Sequence, residues 1–350
     1  MLQIKKIDIN NTPEWDNINK LSPPPILKYS PSTVNTDDYF IKSELVKNSK
    51  VDIPDTIVEK ESIKLLKAKM KSELERKLKN MRHVSQHNNY VVMGEKELNG
   101  TFRFLAEGFA SWGECNELLQ LAQVAAVQGD GYNGKSPHTD HEKFEGVTLG
   151  RAALLVYFGL METRVLEMFL KLSERVKNYV ERYFNVKEKL YFTFTHLVCR
   201  SAIDSTGLRN KTDLSHAIHA DNCNLQANGE CIFAHPAYTW RSYSAILYLN
   251  DDFEGGEFIF ASDIKAANIQ SLVQPKCGRL VGFSSGKENL HGVKGVLRGS
   301  RCALGLWFTF DHKYQEIERI LAEQVLVQVQ KQGTISDKLV AELQKHVPTN

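Results

Sequence analysis

Residues 1–57 are polar, include Pro23-Pro24-Pro25 and carry no sustained hydrophobic period, the pattern of a flexible N-terminal segment. Periodicity begins with Ile63, Leu66, Met70, Leu74 and Leu78, which share one helical face among Lys and Glu residues. The spacing predicts an amphipathic helix and linker over 58–95. From Leu98 the pattern becomes that of a packed core. Phe102–Leu105 reads as a strand, and Ser111-Trp112-Gly113-Glu114 has the form of a capping box opening a helix to about Val127, stopped by Gly129. A second helix is expected over about Glu162–Tyr183.

Beyond it nearly every apolar run is short: Leu190–Arg200, the segment near 219, Tyr243–Leu249, Glu257–Phe260, Gly278–Phe283, Val293–Leu297 and Arg301–Phe310. A last amphipathic helix is expected over about Tyr314–Val329. Helices followed by many short strands with Gly-rich turns predict an α+β domain built on a barrel or jelly roll. That domain is placed at 96–312, with a C-terminal helix and tail at 313–350.

Within this frame one constellation carries chemistry. His219-Ala220-Asp221, with His291 far downstream, has the spacing of the facial triad, in which two imidazoles and a carboxylate hold Fe(II) and leave its other face open. In a strand, residues two apart point the same way, so His219 and Asp221 can face one metal. Arg301 lies ten residues after His291, at the head of an apolar run where its planar fork could clamp a carboxylate. His-x-Asp is a cheap pattern, and His138-Thr139-Asp140 repeats it in a Gly-, Asn- and Pro-bearing loop with no third ligand at a comparable distance. The triad 219/221/291 is therefore the predicted metal site, with 138/140 as its rival. Glu254-Gly255-Gly256-Glu257 reads as a tight turn rather than a metal site.

Composition adds limits. With 350 residues, 42% apolar and 25% charged, the chain can fill a core, and a net charge of +2 makes no case for nucleic acid or a membrane surface. Apolar stretches such as Ala152–Leu160 are too short to span a bilayer. Of the 6 cysteines, Cys223 and Cys231 bracket a short polar loop beside the first ligand segment, where a bridge would stiffen the mouth of the site; the free-thiol alternative stays open, and the others read as reduced core residues. Asn10, Asn99 and Asn210 open glycosylation sequons.

Longer stretches carry a resemblance. His216-Ala217-Ile218-His219-Ala220-Asp221-Asn222-Cys223, Tyr243–Phe258 with its Tyr248-Leu249-Asn250-Asp251, Pro275-Lys276-Cys277-Gly278-Arg279 and His291-Gly292-Val293-Lys294 resemble the catalytic domain of the collagen prolyl 3-hydroxylases, the leprecan family. Gly129-Asp130-Gly131-Tyr132, Ser136-Pro137-His138-Thr139 and Glu142-Lys143-Phe144-Glu145-Gly146 resemble an upstream segment of the same family, and the likeness covers about residues 96–330. It implies a double-stranded β-helix (jelly-roll) core flanked by helices, Fe(II), 2-oxoglutarate and L-ascorbate, and 3-hydroxylation of proline in collagen-like polypeptides. It assigns His219, Asp221 and His291 to the metal, Arg301 to the distal carboxylate of 2-oxoglutarate, and Tyr248 to the same carboxylate, with a plain core tyrosine as the rival role for Tyr248. It also implies the endoplasmic reticulum lumen and leaves room for chaperone or isomerase partners.

Other readings are an oxygenase of the same mechanism acting on another protein or a small molecule, and a non-catalytic collagen-binding subunit, whose mark would be a lost ligand. The chain departs from the family pattern in having a short unlike stretch before the oxygenase, no apolar signal segment after Met1, and His346-Val347-Pro348-Thr349-Asn350 in place of a retention tetrapeptide. It is accordingly expected to be a fragment, an incomplete gene product or a divergent member.

Overall fold

The computed structural model describes residues 92–130, 137–203 and 213–347. The expected N-terminal segment at 1–57 and the helical pattern of Ile63 to Leu78 lie outside the described residues. In chain order the elements are β1 (Val92–Met93), β2 (Arg103–Ala106), α1 (Trp112–Ala125), β3 (Val127–Gln128), β4 (Glu142–Thr148), α2 (Leu149–Tyr157), α3 (Thr163–Tyr183) and β5 (Tyr191–Ala202). Then follow β6 (Leu214–His219), β7 (Asn224–Leu225), β8 (Cys231–Ile232), β9 (Tyr243–Tyr248), β10 (Glu254–Gly255), β11 (Phe258–Ala261), β12 (Ile269–Val273) and β13 (Leu280–Ser284). The chain continues through β14 (His291–Lys294), β15 (Val296–Arg298), β16 (Ser300–Thr309), α4 (Ile317–Gln332) and α5 (Asp337–His346).

Two antiparallel sheets face each other. The larger runs β1-β2-β13-β9-β16-β5-β4-β3 and the smaller β12-β11-β14-β6, which is the jelly-roll core that the resemblance implied. Alternation along each strand sorts the residues to two faces. Leu197, Leu247, Leu304, Leu306 and Phe308 leave the large sheet on its outer side and pack against Leu118, Phe169, Leu172, Val176, Leu321 and Val325 of the helices. The alternate residues Ser244, Tyr248, Arg301 and Trp307 line the side that carries the predicted chemistry.

The capping box forms as expected, with Ser111 Oγ accepting from Glu114 N at 3.3 Å and Glu114 Oε2 accepting from Ser111 N at 2.8 Å. The structure adds elements that the pattern did not assign. Leu149–Tyr157, seen in the sequence only as an apolar run, is a helix started by Thr148, whose Oγ1 accepts from Arg151 N at 3.3 Å. Glu142–Thr148 carries three charged residues among its first four, yet it is a strand, next to the edge of the large sheet, and buried partners satisfy Glu142. α5 adds Leu339 and Leu343 to the core that α4 already joins.

The expectation of reduced core cysteines fails for two residues, Cys199 and Cys302. Cys223 and Cys231 are bonded, tying β8 to the residues after β6. Cys199 and Cys302, expected to be reduced, are also bonded across paired positions of β5 and β16. Their Cα atoms lie 4.1 Å apart, a proximity set by the strand ladder rather than by nearness in sequence.

Candidate metal centre

His219 and His291 are directly paired across β6 and β14, so the first and third predicted ligands meet through sheet register. Asp221 arrives differently from the expectation. β6 ends at His219, and Asp221 lies in a bend beyond it, where its N–H donates to Ser285 O at 3.0 Å. Strand alternation is therefore not what aims its carboxylate. Ser244 Oγ at 2.5 Å and Trp307 Nε1 at 3.1 Å donate to Oδ2, and Arg241 approaches Oδ1 at 3.5 Å. Ser244 Oγ is itself 2.9 Å from Ser285 Oγ.

Both imidazoles present the same nitrogen. His219 Nδ1 lies 2.9 Å from Ala217 O and His291 Nδ1 lies 2.8 Å from Asn289 O. A carbonyl can only accept, so each Nδ1 carries the proton and each Nε2 keeps its lone pair. The two Nε2 atoms lie 3.6 Å and 3.9 Å from Asp221 Oδ1 and Oδ2, and the three donor groups fall within 4.8 Å of one another. Asp221 and His291 are buried, while the His219 side chain is 27% exposed, which leaves the open side of the site at His219.

The protonation states suit a cation. Burial alone would raise the Asp221 carboxyl, but the His219 hydrogen bond and the charges of His291 and Arg241 hold it well below the usual carboxylate range. Burial pushes His291 down to about 4. At neutral pH Asp221 is thus an anion beside the neutral, buried imidazole of His291, so neither of these two groups must shed a proton to bind a metal. These donors fit a divalent cation that takes mixed nitrogen and oxygen ligands.

A second polar corner lies on the large sheet. Arg301 is buried, with Nη1 donating to Gly256 O at 3.3 Å. Gly255 and Gly256 have φ of 79° and 72°, which favours glycine at both, and a Cβ on Gly255 would lie 2.2 Å from Gly295 O, while one on Gly256 would crowd Arg301 Cδ at 3.1 Å. Arg301 is directly opposite Arg200 in the ladder, a like-charge pairing that is costly unless neutralised. Glu142 supplies the countercharge. It accepts from Ser215 Oγ at 2.6 Å, Val296 N at 2.7 Å and Arg200 Nη1 at 3.3 Å, and these contacts with the Arg301 charge depress its carboxyl against the opposing effect of burial.

Tyr248 is 1% exposed, and its hydroxyl is a buried donor without a protein partner. Burial pushes it up to about 12, with Arg301 and Arg279 acting in the opposite direction. An orphaned hydroxyl beside buried guanidiniums is what a bound carboxylate would satisfy, so the corner fits 2-oxoglutarate.

The rival motif does not build a site of its own. The His138 ring stacks on His216 at 3.9 Å, and His216 stacks on His219 at 4.0 Å. His216 and His219 share a face although they are three apart, because the register slips between His291 and Val293: His219 pairs with His291 and His216 with Val293. Nearly parallel rings direct their nitrogens outward along their planes, so the stack supports His219 rather than chelating. Sequence reasoning missed His216, Ser244, Trp307 and Glu142. Only His216 had a visible signal, as the first residue of the His-Ala-Ile-His run.

Residues 208–309 match the family model of the 2OG-Fe(II) oxygenase superfamily. Prolyl 3-hydroxylase 2 of Rattus norvegicus is 49% identical over 242 residues, 68% of this chain and 34% of that protein. Prolyl 3-hydroxylase 2 of Homo sapiens is 46% identical over 261 residues, covering 74% and 36%. Prolyl 3-hydroxylase 1 of Rattus norvegicus is 48% identical over 238 residues, covering 67% and 32%. The chain thus spans about a third of the length of the curated relatives it matches. Among solved structures, a prolyl hydroxylase of Trichoplax adhaerens aligns over 64% of this chain and 89% of that one at 19% identity and a TM-score of 0.41, too distant a likeness to bear on the site.

Proposed function

The oxygenase region of this chain belongs to the prolyl 3-hydroxylase (leprecan) family of 2OG-Fe(II) oxygenases, and on that premise we propose that it hydroxylates proline at the 3-position in collagen-like polypeptides. The observation that carries the reading is the convergence of His219 Nε2, His291 Nε2 and the Asp221 carboxylate, each held from behind by a hydrogen bond. These three residues would hold Fe(II). Bound there with 2-oxoglutarate and O2, the metal supplies the oxidising chemistry, with succinate as co-product.

The protein's own residues bind, orient and shelter. Arg301 grips the distal carboxylate of 2-oxoglutarate through its fork, and the Tyr248 hydroxyl donates to the same group. Ser244 and Trp307 fix the Asp221 carboxylate and reduce its freedom to swing away from the metal. Phe258 and Phe283, with ring centroids 5.3 and 4.6 Å from that of His291, keep water from the rear of the site. A groove of about 400 Å³ lined by Asn222, Phe233, Ser242, Gly286, Lys287 and Glu288 begins one residue from Asp221 and gives a polypeptide room to approach.

Ascorbate, which the family resemblance implies, would keep the metal ferrous. The two bonded cysteine pairs favour maturation in an oxidising compartment, which supports the endoplasmic reticulum lumen, where chaperone or isomerase partners would act on the same substrate. The test measures succinate release from 2-oxoglutarate with Fe(II), with and without a Pro-rich collagen peptide, together with amino-acid analysis resolving 3- from 4-hydroxyproline. Peptide-dependent succinate matched by 3-hydroxyproline is expected. Succinate formation indifferent to the peptide would overturn the substrate assignment.

A further inference from the structure

Among the described residues two cysteines are left outside the bonded pairs, Cys115 on α1 and Cys277 in the turn before β13. They are 162 positions apart in sequence, yet Cys277 packs against the same core cluster that holds Cys115, and each thiol shifts the acidity of the other. The surrounding backbone holds this meeting in place. Phe109 N donates to Gly278 O at 2.7 Å, Gly278 N donates to Tyr248 O at 2.9 Å, and Cys115 Sγ reaches the same Tyr248 carbonyl at 4.0 Å. Gly278 has φ of 76°, and a Cβ there would lie 2.2 Å from Ala110 O, so the turn is pressed directly onto the segment that leads into α1. Cys115 is 1% exposed, and Cys277 packs half-buried against the same core.

We propose that Cys115 and Cys277 are the site of a third disulfide, formed by exchange with a small-molecule disulfide such as oxidised glutathione when the protein matures in an oxidising compartment. The order of steps follows from access and acidity. The half-buried Cys277 has its thiol lowered by Cys115, while Cys115 is raised by Cys277 and by burial. Cys277, as thiolate, attacks one sulfur of oxidised glutathione and expels one glutathione thiolate, giving a mixed disulfide. Cys115 loses its proton, attacks the Cys277 sulfur and expels the second. The balance is one protein dithiol and one small disulfide giving one protein disulfide and two glutathione thiols.

The bond would tie α1 to the turn before β13 and close on the carbonyl of Tyr248. Resting on the proposed co-substrate role of that residue, it fixes the end of β9 that carries the orphaned hydroxyl.

The experiment incubates the full chain with oxidised glutathione, quenches in acid, alkylates in denaturant without reductant and maps the peptides by mass spectrometry. A Cys115–Cys277 linked peptide is expected beside Cys199–Cys302 and Cys223–Cys231, with no alkylated cysteine. In Cys277→Ser, Cys115 should be recovered alkylated while the other two pairs persist. Recovery of both Cys115 and Cys277 as alkylated thiols from the wild-type chain overturns the proposal, as does either one paired with a different cysteine. None of these readouts depends on turnover, so failure of the hydroxylase assignment would leave them standing.

Discussion

The indole N–H of Trp307 donates to Asp221 Oδ2 at 3.1 Å, across 86 positions of sequence. It is one of two short hydrogen bonds that aim this carboxylate, the other coming from Ser244. Trp307→Phe keeps an aromatic ring against Phe194, whose centroid is 5.8 Å away, and removes only the donor. Loss of a hydrogen bond behind a metal ligand costs roughly 10- to 100-fold in affinity. Anaerobic Fe(II) titration should show that weakening with an unchanged far-UV spectrum, whereas wild-type affinity in Trp307→Phe would mean that Ser244 alone positions the carboxylate.

Arg301 separates charge from shape. Lys in its place keeps the charge and loses the planar fork, while Ala loses both. Affinity for 2-oxoglutarate should fall in the order wild type, Lys, Ala. The Ala variant should be weaker by about one hundredfold if some 3 kcal/mol of charge-assisted hydrogen bonding is removed. Fe(II) affinity should hardly move. Equal 2-oxoglutarate affinity in wild type and Ala would reduce Arg301 to a strand residue balanced by Glu142.

For Tyr248 the two readouts should move in opposite senses. Its hydroxyl is buried without a protein partner, a desolvation cost that Phe would remove. Tyr248→Phe should therefore raise the melting temperature of the 2-oxoglutarate-free protein and weaken 2-oxoglutarate binding by roughly tenfold, the value of about one hydrogen bond to a charged group. A higher melting temperature with unchanged binding would assign Tyr248 to packing alone.

Glu316 gives a pH dependence away from the site. It is 6% exposed and accepts from Thr195 N at 2.8 Å and Thr195 Oγ1 at 2.7 Å. Burial pushes its carboxyl up to about 7 from an ordinary 4.5, against the opposing charge of Arg319. Between those values the folded state holds a proton that the unfolded state has released, so this group's contribution to stability is present below about 4.5 and is lost as pH rises through about 7. Urea unfolding should show Glu316→Gln gaining stability relative to wild type from pH 5 to pH 7.5. A gap between the two proteins that does not change with pH would mean that Thr195 and Arg319 keep Glu316 ionised throughout.

The His-Asp-His set was legible because its spacing combines a local pair, His219 and Asp221, with a distant His291 that is followed ten residues on by Arg301 at the head of an apolar run. The supports behind it were not. Ser244 and Trp307 belong to runs whose period says only strand, and their inward faces acquire meaning once β9 and β16 lie beside Asp221. The slip of register that brings His216 onto His219 leaves no trace in composition. Neither does the pairing of Cys199 with Cys302, which depends on β5 and β16 being neighbours. Helix α2 was hidden by its small apolar residues, which suit a buried strand as well as a helix until Thr148 caps them. The expected route to Asp221 through strand alternation failed because the strand ends two residues too early, and side-chain hydrogen bonds supply the aim.

The Cys199–Cys302 bond sits one position beyond the paired Arg200 and Arg301. A strand that slides by a single residue turns every side chain to the opposite face, which here would push two guanidiniums into the leucine layer beneath the helices and take Arg301, the proposed co-substrate anchor, out of the cavity. A covalent rivet at the next rung forbids that slide. The strand carrying Arg301 can therefore fray at its ends, be tugged by a long polypeptide or be warmed, and still return to the same rung.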